Sequence, residues 1–206
     1  MNLPSVIRKQ VTIEQMASRR GIDWGRCLNI GSKDTHYGPS CFNLDVQPGP
    51  GVDLVADAQQ IPADLYTGFD TAVLSAVLQY CQRPGDALHG AWQALKPGGW
   101  VFIDAPFLQP VCPDTPDLYR FTADGLHYLL DAAGFVDITI MPSIALPSAL
   151  AFQVQQAHEM VPTNRWFWKG LGLAVSVLAQ PAILVPWSQV ETAGAFLAVA
   201  RRPVAE

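Results

Sequence analysis

Apolar positions along this chain recur in two periods that take turns. Around Thr12, the residues Ile13, Met16 and Ala17 fall on one helical face, Thr12 and Gln15 form a capping-box pair, and Arg19, Arg20 and Gly21 close the last turn. A short leading helix is therefore predicted. "RCLNIG" then reads as a strand entering a turn at Gly31, and "CFNLDV" as a second strand that ends in Asp45 before the loop "QPGPG". Val52, Leu54 and Ala56 alternate as a third strand, and the apolar run "DTAVLSAVL" holds a fourth. Helical spacing returns at Ala87, Leu88, Ala91, Trp92 and Leu95, with Pro84 suited to the first turn and Pro97-Gly98-Gly99 stopping the helix ahead of the strand "WVFIDAP". Thr122 can cap a further helix with Leu126, Leu129, Leu130 and Ala133 on one stripe. Gly134 ends it, "FVDITI" is a strand, and "AGAFLAVARR" is the last one.

Between those last two strands, residues 147–187 read as an apolar helical insertion. No charge occurs between Lys169 and Glu191, and Trp166, Trp168 and Trp187 flank the run. About 20 apolar residues suffice to cross a bilayer. Gln180, Pro181 and Pro186 interrupt this stretch, however, so two short buried helices fit it better than a spanning one. The insertion leaves three roles open: a lid, a homodimer face, or a peripheral membrane contact through 170–187.

Strands alternating with helices predict an α/β, doubly wound, mostly parallel sheet covered on both faces, with residues 1–206 as one domain. In such sheets ligands bind beyond the carboxyl ends of the strands, where the strand order reverses. Chemistry is expected just after Gly31, Asp45, Ala56, Leu74 and Asp104.

Composition narrows the classes. At 206 residues, 50% hydrophobic and 15% charged, the chain suits a folded domain with a sizeable core. A net charge of -5 argues against nucleic acid as a partner, because that would require a basic face. Cys27, Cys41, Cys81 and Cys112 contain no C-x-x-C pair, which favours buried or free thiols in a reducing compartment over zinc or a disulfide framework. No metal site is predicted. The amino-terminal stretch lacks the apolar core of a secretory signal, so a cytoplasmic location is expected, with the inner membrane face as the alternative the insertion raises.

Taken in order, "LNIGS", "NLDVQPGPGVDLVADAQQIP", "FDTAVLSAVLQY", "ALKPGGWVFIDAPFLQP" and "YRFTADGLHYLLDAAGF" resemble the class I S-adenosylmethionine-dependent methyltransferases. The likeness is closest to a bacterial branch associated with surface-polysaccharide or lipid-linked glycan loci. It implies a Rossmann-like sheet of about seven strands with the last antiparallel. It implies S-adenosylmethionine as cofactor, with Gly31 and Ser32 against its methionine part and Asp45 accepting from both ribose hydroxyls. Asp57 and Ala58 would meet the adenine, and Ser75 would border the sulfonium. The acceptor would be a small molecule or a glycan. Asp104, His36 and Tyr37 are the candidate bases by position, Asp104 first. Tyr119 and Arg120 belong to a loop that covers the acceptor side in the family. Arg120 either binds an acceptor anion or pairs with Asp117 or Asp124 to fix that loop.

The chain also departs from the family pattern. Asn29 stands where an acidic residue is usual, Lys33 follows where a second glycine is expected, and Gln79 and Cys112 replace other polar residues. Asn29 is a weaker acceptor for a cationic amino group than a carboxylate. The alternative reading is a methyltransferase-like protein that binds without catalysis, at the membrane periphery if the insertion rests on lipid.

Overall fold

The computed structural model describes residues 9–33, 35–37, 41–113, 115–160 and 189–204, with the single positions 165, 170, 174, 175 and 177. Seven strands form one sheet: β1 (Cys27–Ile30), β2 (Cys41–Asp45), β3 (Leu54–Val55), β4 (Phe69–Ser75), β5 (Leu95–Pro106), β6 (Val136–Ile144) and β7 (Ala195–Arg201). Their order is β3-β2-β1-β4-β5-β7-β6. Pairing is parallel from β3 through β5, whereas β7 runs antiparallel to both β5 and β6. This is the doubly wound, mostly parallel sheet that the alternation predicts, with the last strand reversed as the resemblance implies.

Period-two alternation sorts side chains onto two faces. Leu28, Ile30, Leu74, Val101 and Ile103 point to one face, where α2 (Pro84–Ala94) and α3 (Ala123–Ala132) supply Ala87, Leu88, Ala91, Leu126 and Leu130. Cys27, Val73, Phe102, Leu197 and Val199 point to the other, onto Val11 and the Ile13, Met16 and Ala17 stripe of α1 (Ile13–Arg19). The capping box of α1 forms as expected: the Gln15 backbone N–H donates to the Thr12 hydroxyl, and the Gln15 side chain accepts from the Thr12 N–H. Gly21 follows at φ +63°. Thr122 caps α3 in the same way, accepting from the Gly125 N–H at 3.0 Å.

Three expectations need correction. The third strand contracts to Leu54–Val55, since only Leu44 and Asp45 of β2 pair with it. Leu95 belongs to β5, opposite Phe69, rather than to the helical stripe, because α2 ends at Ala94. The register between β4 and β5 then shifts across the Pro97–Gly99 stretch before Thr71 meets Trp100. The cysteines change most. Cys27 and Cys41 face each other in the β1–β2 register, with Cα atoms 4.3 Å apart, and are joined as a disulfide. Their separation along the chain carries no sign of this, because only strand pairing brings them together. Cys81 is a buried free thiol, pushed up to about 11 by burial and by the nearby Asp57 charge, and Cys112 is half-buried and free.

The predicted insertion opens as α4 (Leu146–Met160), whose Ala149 packs against Gly194 ahead of β7. Most of the rest of 147–187, including 170–187 as a continuous stretch, lies outside the described residues. Among the described residues no helix is long and apolar enough to cross a membrane.

The disulfide gives the first expected outcome. Thiol titration of the denatured, unreduced protein should find two reactive cysteines, rising to four after reduction; four before reduction would contradict the pairing.

Candidate functional site at the strand tips

β1 pairs with β2 on one side and β4 on the other, so the chain leaves the sheet in opposite directions at its carboxyl end and opens a crevice there. Gly31 makes the first turn at φ +70°, and a Cβ there would lie 2.4 Å from Val77 Cγ2. Only glycine fits both the left-handed backbone and that close approach. Gly31 and Ser32 both donate their N–H groups to the Leu44 carbonyl, at 2.7 and 3.1 Å. The Ser32 hydroxyl is buried and has no hydrogen-bond partner.

Asp45 stands at the tip of β2. One oxygen accepts from the Lys33 N–H at 2.8 Å and the other from the Gln47 N–H at 2.9 Å. Each oxygen retains capacity for a further donor. Asn29 is buried, and its amide donates to the Thr35 carbonyl at 2.7 Å and to Asn43 Oδ1 at 3.0 Å. That carboxamide is thus a strut for the loop after β1. Lys33, at φ 41°, and Thr35 are held where a glycine is expected, by Asp45 and Asn29 respectively.

Beyond β3, Asp57 closes a turn by accepting from the Gln59 N–H at 2.9 Å and from the Gln59 side chain at 3.1 and 3.2 Å. Ala58 packs partly buried on the core. After β4, Ala76 takes a left-handed φ of 55° and donates its N–H to the Asp104 carbonyl at 2.7 Å. A non-glycine residue in that region is strained, and such strain concentrates at functional turns. In the short 3-10 turn Leu78–Tyr80, the Gln79 side-chain Nε2 donates to the Ala76 carbonyl at 2.9 Å while its buried Oε1 has no partner.

The three candidate bases separate. Ser75 and Asp104 are register partners, and the Tyr37 hydroxyl reaches the Ser75 side chain. Burial raises the Tyr37 pKa, more than the Ser75 hydrogen bond and the Lys9 charge lower it. The Tyr37 ring stacks on Trp24, which stacks on Phe102. Asp104 is buried, accepting from the Ser143 hydroxyl at 2.9 Å and forming an ion pair with Lys9. Burial works to lower the Lys9 pKa, but the charge and hydrogen bond of Asp104 outweigh it and the net shift is upward. His36 lies elsewhere, its imidazole against Gly51 in the β2–β3 loop. The structure therefore groups Tyr37 with Asp104, and leaves His36 apart. Lys9 and Ser143, which complete the group, carry no local sequence signal; they arrive through the Lys9–Ile144 bridge and the Gln10 N–H on the Ser143 carbonyl.

In the loop after β5, Arg120 grips both Asp117 oxygens and also donates to the carbonyls of Tyr119 and Pro110. Of its two readings the structure shows the loop-fixing one, with Asp117 as partner. The Tyr119 hydroxyl donates to the Gln82 carbonyl at 3.1 Å.

With this geometry in view, residues 42–103 match the model of a methyltransferase domain. No curated protein matches the sequence. Among solved structures the chain is similar to the cyclase SpnF, at 21% identity over 93% of this chain and 80% of that one, with a TM-score of 0.58. It is similar to a methyltransferase from Thermotoga maritima, described as a possible histamine N-methyltransferase, at 13% identity over 91% and 86% of the two chains, TM-score 0.57. A third likeness, at 18% identity over 97% and 86%, TM-score 0.55, is a structure of the Haloferax volcanii Trm112 methyltransferase activator with a putative methyltransferase. These likenesses show the fold, which is the Rossmann-like methyltransferase fold.

The Arg120 hydrogen bonds and charge hold the Asp117 carboxyl below its ordinary range, against an opposing effect of burial. Because the folded value is depressed, the latch is complete above the ordinary carboxylate pKa and is lost as pH falls through the lowered value. Acidification through that window should lower the protection of the Cys112 amide relative to its intrinsic exchange rate, since its N–H donates to Asp117 at 2.9 Å, and Asp117→Asn should abolish this pH step in protection. Protection that does not fall with pH in the wild type, or a pH step that survives in Asp117→Asn, would contradict the latch.

Proposed function

We propose that this chain is an S-adenosylmethionine-dependent methyltransferase acting on a small-molecule or glycan acceptor, within one domain that carries the apolar insertion. The observation that carries this reading is Asp45, a carboxylate at the tip of the second strand beside the Gly31 turn, with one backbone donor on each oxygen and room on each for another. A vicinal diol such as a ribose offers two donors at that spacing.

The other residues fit the same group. Gly31 keeps its turn free of side-chain bulk, and Ser32 offers a buried hydroxyl without a partner where the methionine part would lie. The Asn29 amide is engaged by the loop, so in this proposal Ser32 takes over the polar contact that an acidic residue makes in the family. Asp57, Ala58 and Ser75 would border the adenine and sulfonium ends. Bound S-adenosylmethionine would supply an electrophilic methyl group that passes to an in-line nucleophile, with the neutral thioether S-adenosylhomocysteine as the leaving group. The protein's share of the work is to align two reactants and exclude water.

Tyr37 and Asp104 would face the acceptor. Asp104 already holds Lys9 and Ser143, so its role in this reading is to fix charge and position at the tip of β5. Tyr37, kept protonated by burial, would donate a hydrogen bond to the acceptor. Tyr119 would line the mouth and Arg120 would hold the loop shut around it. His36 would contribute on the ribose side.

A second reading, binding without methyl transfer, is favoured by the engagement of Asn29 and Asp104 inside the protein. That one similar structure is a cyclase shows that the fold alone does not decide the reaction.

Calorimetry with S-adenosylhomocysteine checks the cofactor claim. Asp45→Ala should weaken binding about tenfold or more through loss of charge-assisted hydrogen bonds. Wild-type binding that this substitution leaves unchanged, or no wild-type binding at all, would remove the proposal. Cofactor binding without methyl transfer to any hydroxylated acceptor would favour the second reading.

A further inference from the structure

At the amino ends of the parallel strands, opposite the strand-tip site, a cavity of about 460 Å³ opens between the end of α1, the start of β5 and the end of β7. Arg20, Asp23, Asp70, Lys96, Trp100 and Arg201 line it, with Gly98 and Gly99 in its wall. The charges there are unequally satisfied. Lys96 and Asp70 neutralise each other at 2.7 Å, and Asp70 accepts in addition from the Arg26 N–H. Asp23 caps the Gly25 N–H at 3.2 Å.

Arg20 has no carboxylate partner among the described residues, and Arg201 is only loosely paired. Arg20 donates to the Thr139 hydroxyl and has no carboxylate within ion-pairing distance among the described residues. Arg201 forms an ion pair with Asp137 at 3.6 Å, too long for a hydrogen bond, and its Nε is buried with no partner. Both guanidinium groups sit beside one indole, with carbons 6.0 Å (Arg20) and 5.8 Å (Arg201) from the Trp100 ring centroid. A buried donor without an acceptor costs free energy that an incoming oxygen restores. Guanidinium groups match the planar geometry of oxyanions and remain charged when partly desolvated against an aromatic ring.

We propose that this cavity is a second ligand site, which takes a small molecule bearing a phosphate or carboxylate group between Arg20 and Arg201 beside Trp100. The site stands apart from the cofactor crevice and does not depend on the methyltransferase reading. Its ligand would join three elements, α1 through Arg20, β5 through Trp100 and β7 through Arg201. β5 ends at its far side in the Asp104 group, so the position suits an effector rather than a substrate.

Nitrogen-resolved NMR of the whole chain, titrated at constant ionic strength with inorganic phosphate and separately with acetate, tests this. Saturable shifts of the Trp100 indole N–H and the Arg201 Nε–H are expected, and the stronger anion identifies the group the site prefers. Arg20→Gln and Arg201→Gln should each weaken binding about tenfold or more, with the rest of each spectrum confirming the fold. No saturable shift with either anion at millimolar concentration, or shifts that both variants retain, would overturn the proposal.

Discussion

The central constraint is the double pairing of β1. This four-residue strand is fully buried and hydrogen-bonds in parallel with β2 and β4 at once. Two parallel neighbours force the connections at its end to part, and the turn at Gly31 has to be made where Val77 already crowds the backbone. Asp45, Ser75 and the Asn29 loop gain their positions from that one arrangement.

Polar groups around the crevice divide into those that build it and those left with capacity. Asn29, Asp57 and Arg120 spend their hydrogen bonds on the loops that carry them. Asp45 keeps acceptor capacity, while the Ser32 hydroxyl and the Gln79 side-chain Oε1 are buried without partners. Buried polar atoms are nearly always paired, and in the proposed reading this unpaired set is where a ligand's donors and acceptors would bind. The Lys9–Asp104 pair brings the segment before α1 across the same end of the sheet and joins it to β6 through Ser143.

Much of the fold was legible from periodicity. Every strand and the helices α1, α2 and α3 are announced by apolar spacing, caps and Gly or Pro punctuation, and the order of those elements is enough to predict a doubly wound sheet. Legibility failed where a contact depends on register between distant segments. The Cys27–Cys41 disulfide exists because β1 and β2 align those two residues, and Lys9 meets Asp104 because an extended stretch bridges to Ile144. At the site, glycine and carboxylate positions follow from strand ends, so Gly31 and Asp45 could be named in advance. The direction each side chain takes in a loop could not, and adjacent residues diverge: His36 lies on Gly51 while Tyr37 stacks on Trp24.

The claim that the crevice beside β1 receives a nucleoside is tested most directly by mapping S-adenosylhomocysteine onto the backbone amides of the protein in solution. Perturbations concentrated at 31–33, 45–47 and 75–79, together with slowed exchange of the Lys33 amide, are the predicted result. Amides there that stay unmoved at saturating ligand, or a footprint confined to another part of the sheet, would contradict the account.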